Sequence, residues 1–122
     1  MRYTRVFSDA DGESHFEDVE PELVRTHVTD NFPPLLVSES IPAASAAFVS
    51  APRGDDEPEW HNAPNRQFVV WLDGESEVQT SDGEVRRFRT GDVLLVEDTT
   101  GKGHLSRGVG ESGSRVLFVR LP

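Results

Sequence analysis

The second half of the chain is cut by turn-forming residues into short segments rich in β-branched and aromatic side chains, and this rhythm constrains the fold most. Arg66-Gln67-Phe68-Val69-Val70-Trp71-Leu72 runs into Asp73-Gly74, a dipeptide suited to a tight turn. Glu75 to Thr80 ends at Ser81-Asp82-Gly83, and Glu84 to Arg89 ends at Thr90-Gly91-Asp92. Val93-Leu94-Leu95-Val96 follows, and a last strand is expected over Arg115-Val116-Leu117-Phe118-Val119-Arg120-Leu121. Turns at this spacing, with little helical periodicity between them, predict an all-β sandwich or barrel. Ten glycines and eight prolines among 122 residues suit a chain that turns so often.

Earlier strands are expected at Tyr3–Phe7, His15–Val19, Leu35–Val37 and Ala46–Val49, while Glu22–Thr29 fits either one helical turn or a strand. Residues 51–59 combine Gly, Pro and acidic side chains and read as a loop. No repeat or linker interrupts the chain, so residues 1–122 read as one domain around one core. In the strand beginning at Gln67, Val69 and Trp71 share one face while Phe68, Val70 and Leu72 share the other. Both faces are apolar, so a second sheet of the same chain or a partner subunit has to cover the outer one.

Charge and composition narrow the function classes. Twelve Lys and Arg stand against 22 Asp and Glu, a net charge of −10. That balance disfavours nucleic acid and anionic membrane surfaces, which both require clustered cations. No apolar run approaches the roughly 20 residues that span a bilayer. The basic N-terminus lacks the apolar stretch of a secretory leader. There is no cysteine, hence no disulfide framework and no thiolate ligand or nucleophile. The expected location is therefore cytoplasmic. Lys102 is the only lysine, and such an acidic surface suits a salt-adapted protein as well as an ordinary cytosolic one.

Two segments carry a family resemblance. Trp60-His61-Asn62-Ala63-Pro64-Asn65-Arg66-Gln67, a six-residue strand and Gly74 resemble the first cupin motif, in which a His-x-His pair precedes an acid and a glycine. Gly91-Asp92-Val93-Leu94-Leu95-Val96, running to Gly101-Lys102-Gly103-His104, resembles the second, which ends in a histidine. The likeness covers about residues 54–107, and residues 12–50 resemble the N-terminal strands of small single-domain cupins. It implies a double-stranded β-helix, a jelly-roll barrel with a pocket inside. It also implies a homodimer, in keeping with strands apolar on both faces.

The departures from that pattern bear on chemistry. Gly54 lies one residue further from His61 than the motif glycine does, Ala63 stands at the second histidine position and Gln67 at the acid. Glu97 replaces a proline, and two extra residues precede Gly101. The family's metal positions thus become His61, Ala63, Gln67 and His104, of which His61, Gln67 and His104 have donor side chains, with His15 as an extra ligand candidate. Two neutral imidazoles and an amide bring no negative charge to a divalent ion, which favours imidazole, thiolate or carboxylate.

Two readings stay open on the residues alone. In one, a zinc, nickel, iron or manganese ion supports dioxygenase- or isomerase-type chemistry on a small polar metabolite. In the other, a metal-free pocket binds or senses a small molecule without catalysis, the histidines serving as core, acid-base or contact groups. Trp60, His61, Gln67, Trp71 and His104 are the expected pocket residues in both, although Trp60 and Trp71 also suit plain packing. Arg66 is expected to form a surface ion pair, and Arg86-Arg87-Phe88-Arg89 to pair with neighbouring carboxylates. Gly101-Lys102-Gly103 fails as a phosphate loop, since Val96 and Gly103 stand where such a loop needs Gly and Ser or Thr. It reads instead as a bend that delivers His104 to the next strand.

Overall fold

The computed structural model describes residues 1–53 and 58–122; Gly54 and the middle of the expected 51–59 loop lie outside the described residues. Nine strands form: β1 (Tyr3–Ser8), β2 (Ser14–Val19), β3 (Val24–Thr26), β4 (Leu35–Val37), β5 (Ser45–Ala51), β6 (Gln67–Thr80), β7 (Val85–Phe88), β8 (Val93–Val96) and β9 (His104–Arg120). The described residues contain no helix, and within the ambiguous segment Glu22–Thr29 only Val24–Thr26 is strand. None of them forms a helix long and apolar enough to cross a membrane.

Seven strands make one mixed sheet in the order β2-β1-β8-β6-β9-β5, with β7 also paired to β6. The β1–β8 pair is parallel and its neighbours are antiparallel. β3 and β4 form a separate two-stranded arm.

The period of two decides which residues meet inside. Val69 and Trp71 of β6 pair across with Leu94 of β8 and with Phe118 and Val116 of β9, and all lie on the inner face. Val6, Phe16, Val78 and Phe88 join them. Trp71 stacks on Phe88 with ring centroids 4.8 Å apart, an arrangement worth roughly 0.5–1.5 kcal/mol beyond area burial.

The Asp73-Gly74 turn expectation is wrong. β6 passes straight through that dipeptide, and the ladder to β9 shifts register between Trp71 and Asp73 and again between Gly74 and Glu75. A left-handed Gly suits a bulge as well as a hairpin. Gly74 has φ +78°, and a Cβ there would lie 2.1 Å from the carbonyl oxygen of Gly113 on β9. The close approach of two strands requires the glycine. For the same reason β9 begins at His104 rather than near Arg115, since it follows the whole length of β6.

The outer face carries Phe68, Val70, Val93, Leu117 and Val119, as the alternation predicts. The arm stands over part of it. Between them lies an apolar groove of about 730 Å³, lined by Tyr3, Phe68, Val70, Val93 and Val119 on the sheet side and by Leu23, Val24, Val37 and Ile41 on the other.

The charged surface is paired much as the spacing predicts. Arg66 Nε donates to Glu97 Oε2 at 2.6 Å, and Arg5 Nε donates to Glu97 Oε1 at 2.6 Å. Burial raises the Glu97 carboxyl, and the two guanidinium hydrogen bonds more than offset it, leaving the group below its ordinary range. Arg86 joins Glu84 and Asp18, while Arg87 and Arg89 meet Glu75.

Candidate functional site

His61 and His104 are 43 positions apart in sequence and side by side in the fold. Their backbones form a two-way bridge: His61 N–H donates to His104 O at 3.1 Å, and His104 N–H donates to His61 O at 2.9 Å. Gly103 permits it. Its φ is +75°, and a Cβ there would sit 2.2 Å from the carbonyl oxygen of His61. The expected bend at Gly101-Lys102-Gly103 thus does deliver His104 to the start of β9, against the segment that carries His61.

The two rings pack with centroids 4.5 Å apart and planes at 60°. His61 Nδ1–H donates to the carbonyl oxygen of Glu59 at 3.0 Å. His104 Nδ1–H donates to Asp98 Oδ2 at 2.5 Å. In the neutral form of each ring, donation from Nδ1 leaves Nε2 as the acceptor. His61 is exposed, whereas His104 is only 6% exposed. The pair therefore runs from the surface into the interior.

Asp98 is the residue that the sequence reading missed. It is 0% exposed, and its Oδ1 has no hydrogen-bond partner among the described residues. A carboxylate held in the interior by a single short hydrogen bond is costly to desolvate. The signal for it lay in the alternation: Leu94 and Val96 point inward, and Asp98 continues their period beyond β8. The backbone around it is tied to the histidine segment, since Ala63 N–H and the side-chain amide of Asn62 both donate to Asp98 O at 3.2 Å.

Among the described residues, none of the other expected pocket residues hydrogen-bonds to the pair. Gln67 is buried on the inner face, opposite Val96 of β8 and Arg120 of β9, and no hydrogen bond joins it to either histidine. Trp71 is 4% exposed, stacks on Phe88 and donates Nε1–H to Ser76 Oγ at 3.2 Å, so it fills the core. Trp60 is 47% exposed beside His61. His15 is on the wrong face to reach the pair, because β2 turns Ser14 and Phe16 inward and His15 outward toward Phe7. Both of its ring nitrogens are engaged, Nε2 with Asp9 Oδ2 at 2.7 Å and Nδ1 with Asp82 Oδ2 at 2.9 Å. Those two hydrogen bonds raise the His15 imidazole above its usual value.

A divalent metal fits this set poorly. Anchoring Nδ1 on a carbonyl or carboxylate is the second-shell arrangement typical of imidazole ligands. Two Nε2 atoms are nevertheless only half of a four-coordinate site, and Asp98 faces Nδ1 of His104 rather than the ligating side. Among the described residues no group of three or more His, Cys, Asp or Glu side chains converges as a ligand set. No protein-family model matches the chain, and no curated protein is similar to it in sequence.

Proposed function

We propose that this chain is a small-molecule-binding module of the jelly-roll type, in which Nε2 of His61 and Nε2 of His104 receive the hydroxyl or acid proton of a polar ligand. The observation that carries the reading is the buried Asp98 carboxylate, which holds Nδ1 of His104 and leaves Nε2 to face a ligand, while its own Oδ1 has no partner among the described residues. A fold has little reason to keep an under-paired interior carboxylate for stability alone. Acceptance of a ligand proton makes His104 cationic, and Asp98 then faces a full opposite charge at hydrogen-bond distance. Trp60 offers an exposed ring at the outer end of the pair for an apolar part of the ligand. The cupin resemblance and the mixed all-β sheet support a binding role, and the lack of a converging carboxylate ligand among the described residues favours binding over metal-assisted turnover.

The test is a thermal-shift screen of hydroxy acids, polyols and phenols on the wild-type chain and on His61→Ala and Asp98→Asn. Hits are expected to raise the wild-type midpoint by several degrees and to leave both variants unmoved. Identical shifts in all three proteins would remove the site. In parallel, the protein is supplemented with zinc, nickel, iron or manganese and dialysed. About one metal per chain, lost in His104→Ala, would replace this reading with a metal centre.

A further inference from the structure

The segment from Asp98 to His104 carries both members of the buried pair, and the β1–β2 hairpin is bonded to it at several points. Ser8 Oγ donates to Thr100 O at 2.6 Å, and Lys102 N–H donates to Gly12 O at 2.8 Å. Gly101 lies so near Gly12 that a Cβ on it would stand 2.5 Å from the Gly12 carbonyl oxygen. Ser14 makes the buried contact. It is 0% exposed, and its Oγ donates to Gly103 O at 2.7 Å. The same oxygen accepts the Ser81 N–H at 2.7 Å, while Ser14 N–H donates to Ser81 Oγ at 2.7 Å.

We propose that Ser14 is a positioning residue for the histidine pair, its hydroxyl fixing the Gly103–His104 peptide and, through it, the ring of His104 against Asp98 and His61. The inference rests on the ligand-binding reading of that pair. A peptide unit is planar, so one bond on its carbonyl oxygen and another on its N–H together set its orientation and the place of the next Cα. In this unit Gly103 O accepts from Ser14, and His104 N–H donates to His61 O at 2.9 Å. The Cα that follows is that of His104. Gly103, at φ +75°, has no side chain to restrict its rotation, so the orientation of this peptide has to be imposed from outside.

Fastening the hairpin to the loop does not require Ser14. Ser8, Gly12 and the Lys102–Glu13 ion pair, at 2.8 Å, already do so, and they hold residues 100 to 102 without reaching the peptide of His104. Ser14 reaches it in the interior, where a hydroxyl is costly to bury unless its bonds are made. That hydroxyl has one proton. Gly103 O can only accept, whereas Ser81 Oγ, 3.2 Å away, can itself donate, so the proton goes to Gly103. The other end of the loop is held separately. Asn62 Nδ2 donates to Asp98 O at 3.2 Å and to Gly101 O at 3.1 Å. Carboxylate and imidazole are thus placed by different contacts, and Ser14 acts on the imidazole.

Imidazole nitrogen chemical shifts at neutral pH read the tautomer of His104 with no ligand present. The wild type is expected to show His104 protonated at Nδ1. Ser14→Ala, and the near-isosteric Ser14→Cys with its weak donor, should give mixed tautomers with unchanged circular dichroism. Exchange of the His104 amide should quicken about tenfold, as the loss of one hydrogen bond implies. Ser81→Ala, which keeps the bond from Ser14 to Gly103, should retain the wild-type tautomer. Should Ser14→Ala not fold, Ser14→Cys decides the matter. Wild-type tautomer and exchange in the folded Ser14 variants, or an equal disturbance from Ser81→Ala, would overturn the proposal. A wild type with His104 protonated at Nε2 would overturn the reading of the pair, and this inference with it. A wild type that binds none of the screened ligands, yet loses its tautomer in the Ser14 variants, would remove the ligand reading and support the positioning of His104.

Discussion

His104 and His15 are both held by aspartates, yet they sit in opposite situations. His15 is on the outer surface with both ring nitrogens engaged by Asp9 and Asp82, so it ties the β1–β2 turn to the β6–β7 turn. His104 is inside, held at one nitrogen by the fully buried Asp98, with its ring packed against that of His61. Residue type and carboxylate partner are the same in both. The spare nitrogen differs: His15 cross-links two turns through both ring nitrogens, whereas Nε2 of His104 makes no hydrogen bond among the described residues.

The largest expected effect belongs to the buried member. His104→Ala leaves both oxygens of Asp98 without a partner among the described residues, and losing one side of a buried pair costs roughly 3–5 kcal/mol. Urea unfolding of the variant should show that loss. A change below about 1 kcal/mol would mean that Asp98 reaches water or is protonated, and the contrast with His15 would collapse.

A smaller, pH-dependent effect is expected for His15→Ala. The raised folded-state value of His15 means that its contribution is complete below the unfolded value of about 6.5 and fades as pH rises through the folded value. Asp9 is held below the usual carboxylate range, chiefly by its hydrogen bond from His15. Asp82 is also lowered, because hydrogen bonds from Thr80, the Glu84 backbone and His15 outweigh its desolvation. Those carboxylate contributions fade as pH falls through the depressed values. The stability gap between wild type and His15→Ala should therefore be widest near pH 6 and narrower by pH 9. A gap that is constant with pH would show that packing against Phe7, not charge, accounts for it.

The smallest stability effect is expected at His61. Its ring is exposed and its backbone bridge survives truncation, so His61→Ala should shift stability by no more than about 0.5 kcal/mol. Ligand responses should nonetheless disappear. A large loss of stability here would recast His61 as a structural partner of His104.

Much of the fold was legible in the chain because its signals are local. Ser81-Asp82-Gly83 and Thr90-Gly91-Asp92 do turn, with Gly83 and Gly91 at positive φ, and Leu35–Val37 is a strand at the expected residues. Asp73-Gly74 misled because its left-handed glycine serves a bulge against Gly113, which lies 39 residues further on. The site was half legible. His61 and His104 stood out by motif position, whereas Gln67 and Trp71 share the inner face without joining the pair. His15 was misplaced because one residue of strand phase reverses its face.

The sequence by itself determined that the chain is built of strands and which residues alternate to the inside, since those depend on backbone propensity and a period of two, but it misplaced the end of β6 and the start of β9. Only the tertiary structure decided that Asp98 is buried against His104 and that the backbone of His61 bridges to that of His104. Burial and pairing of those groups depend on which distant strand arrives beside them, and no local pattern encodes that neighbour.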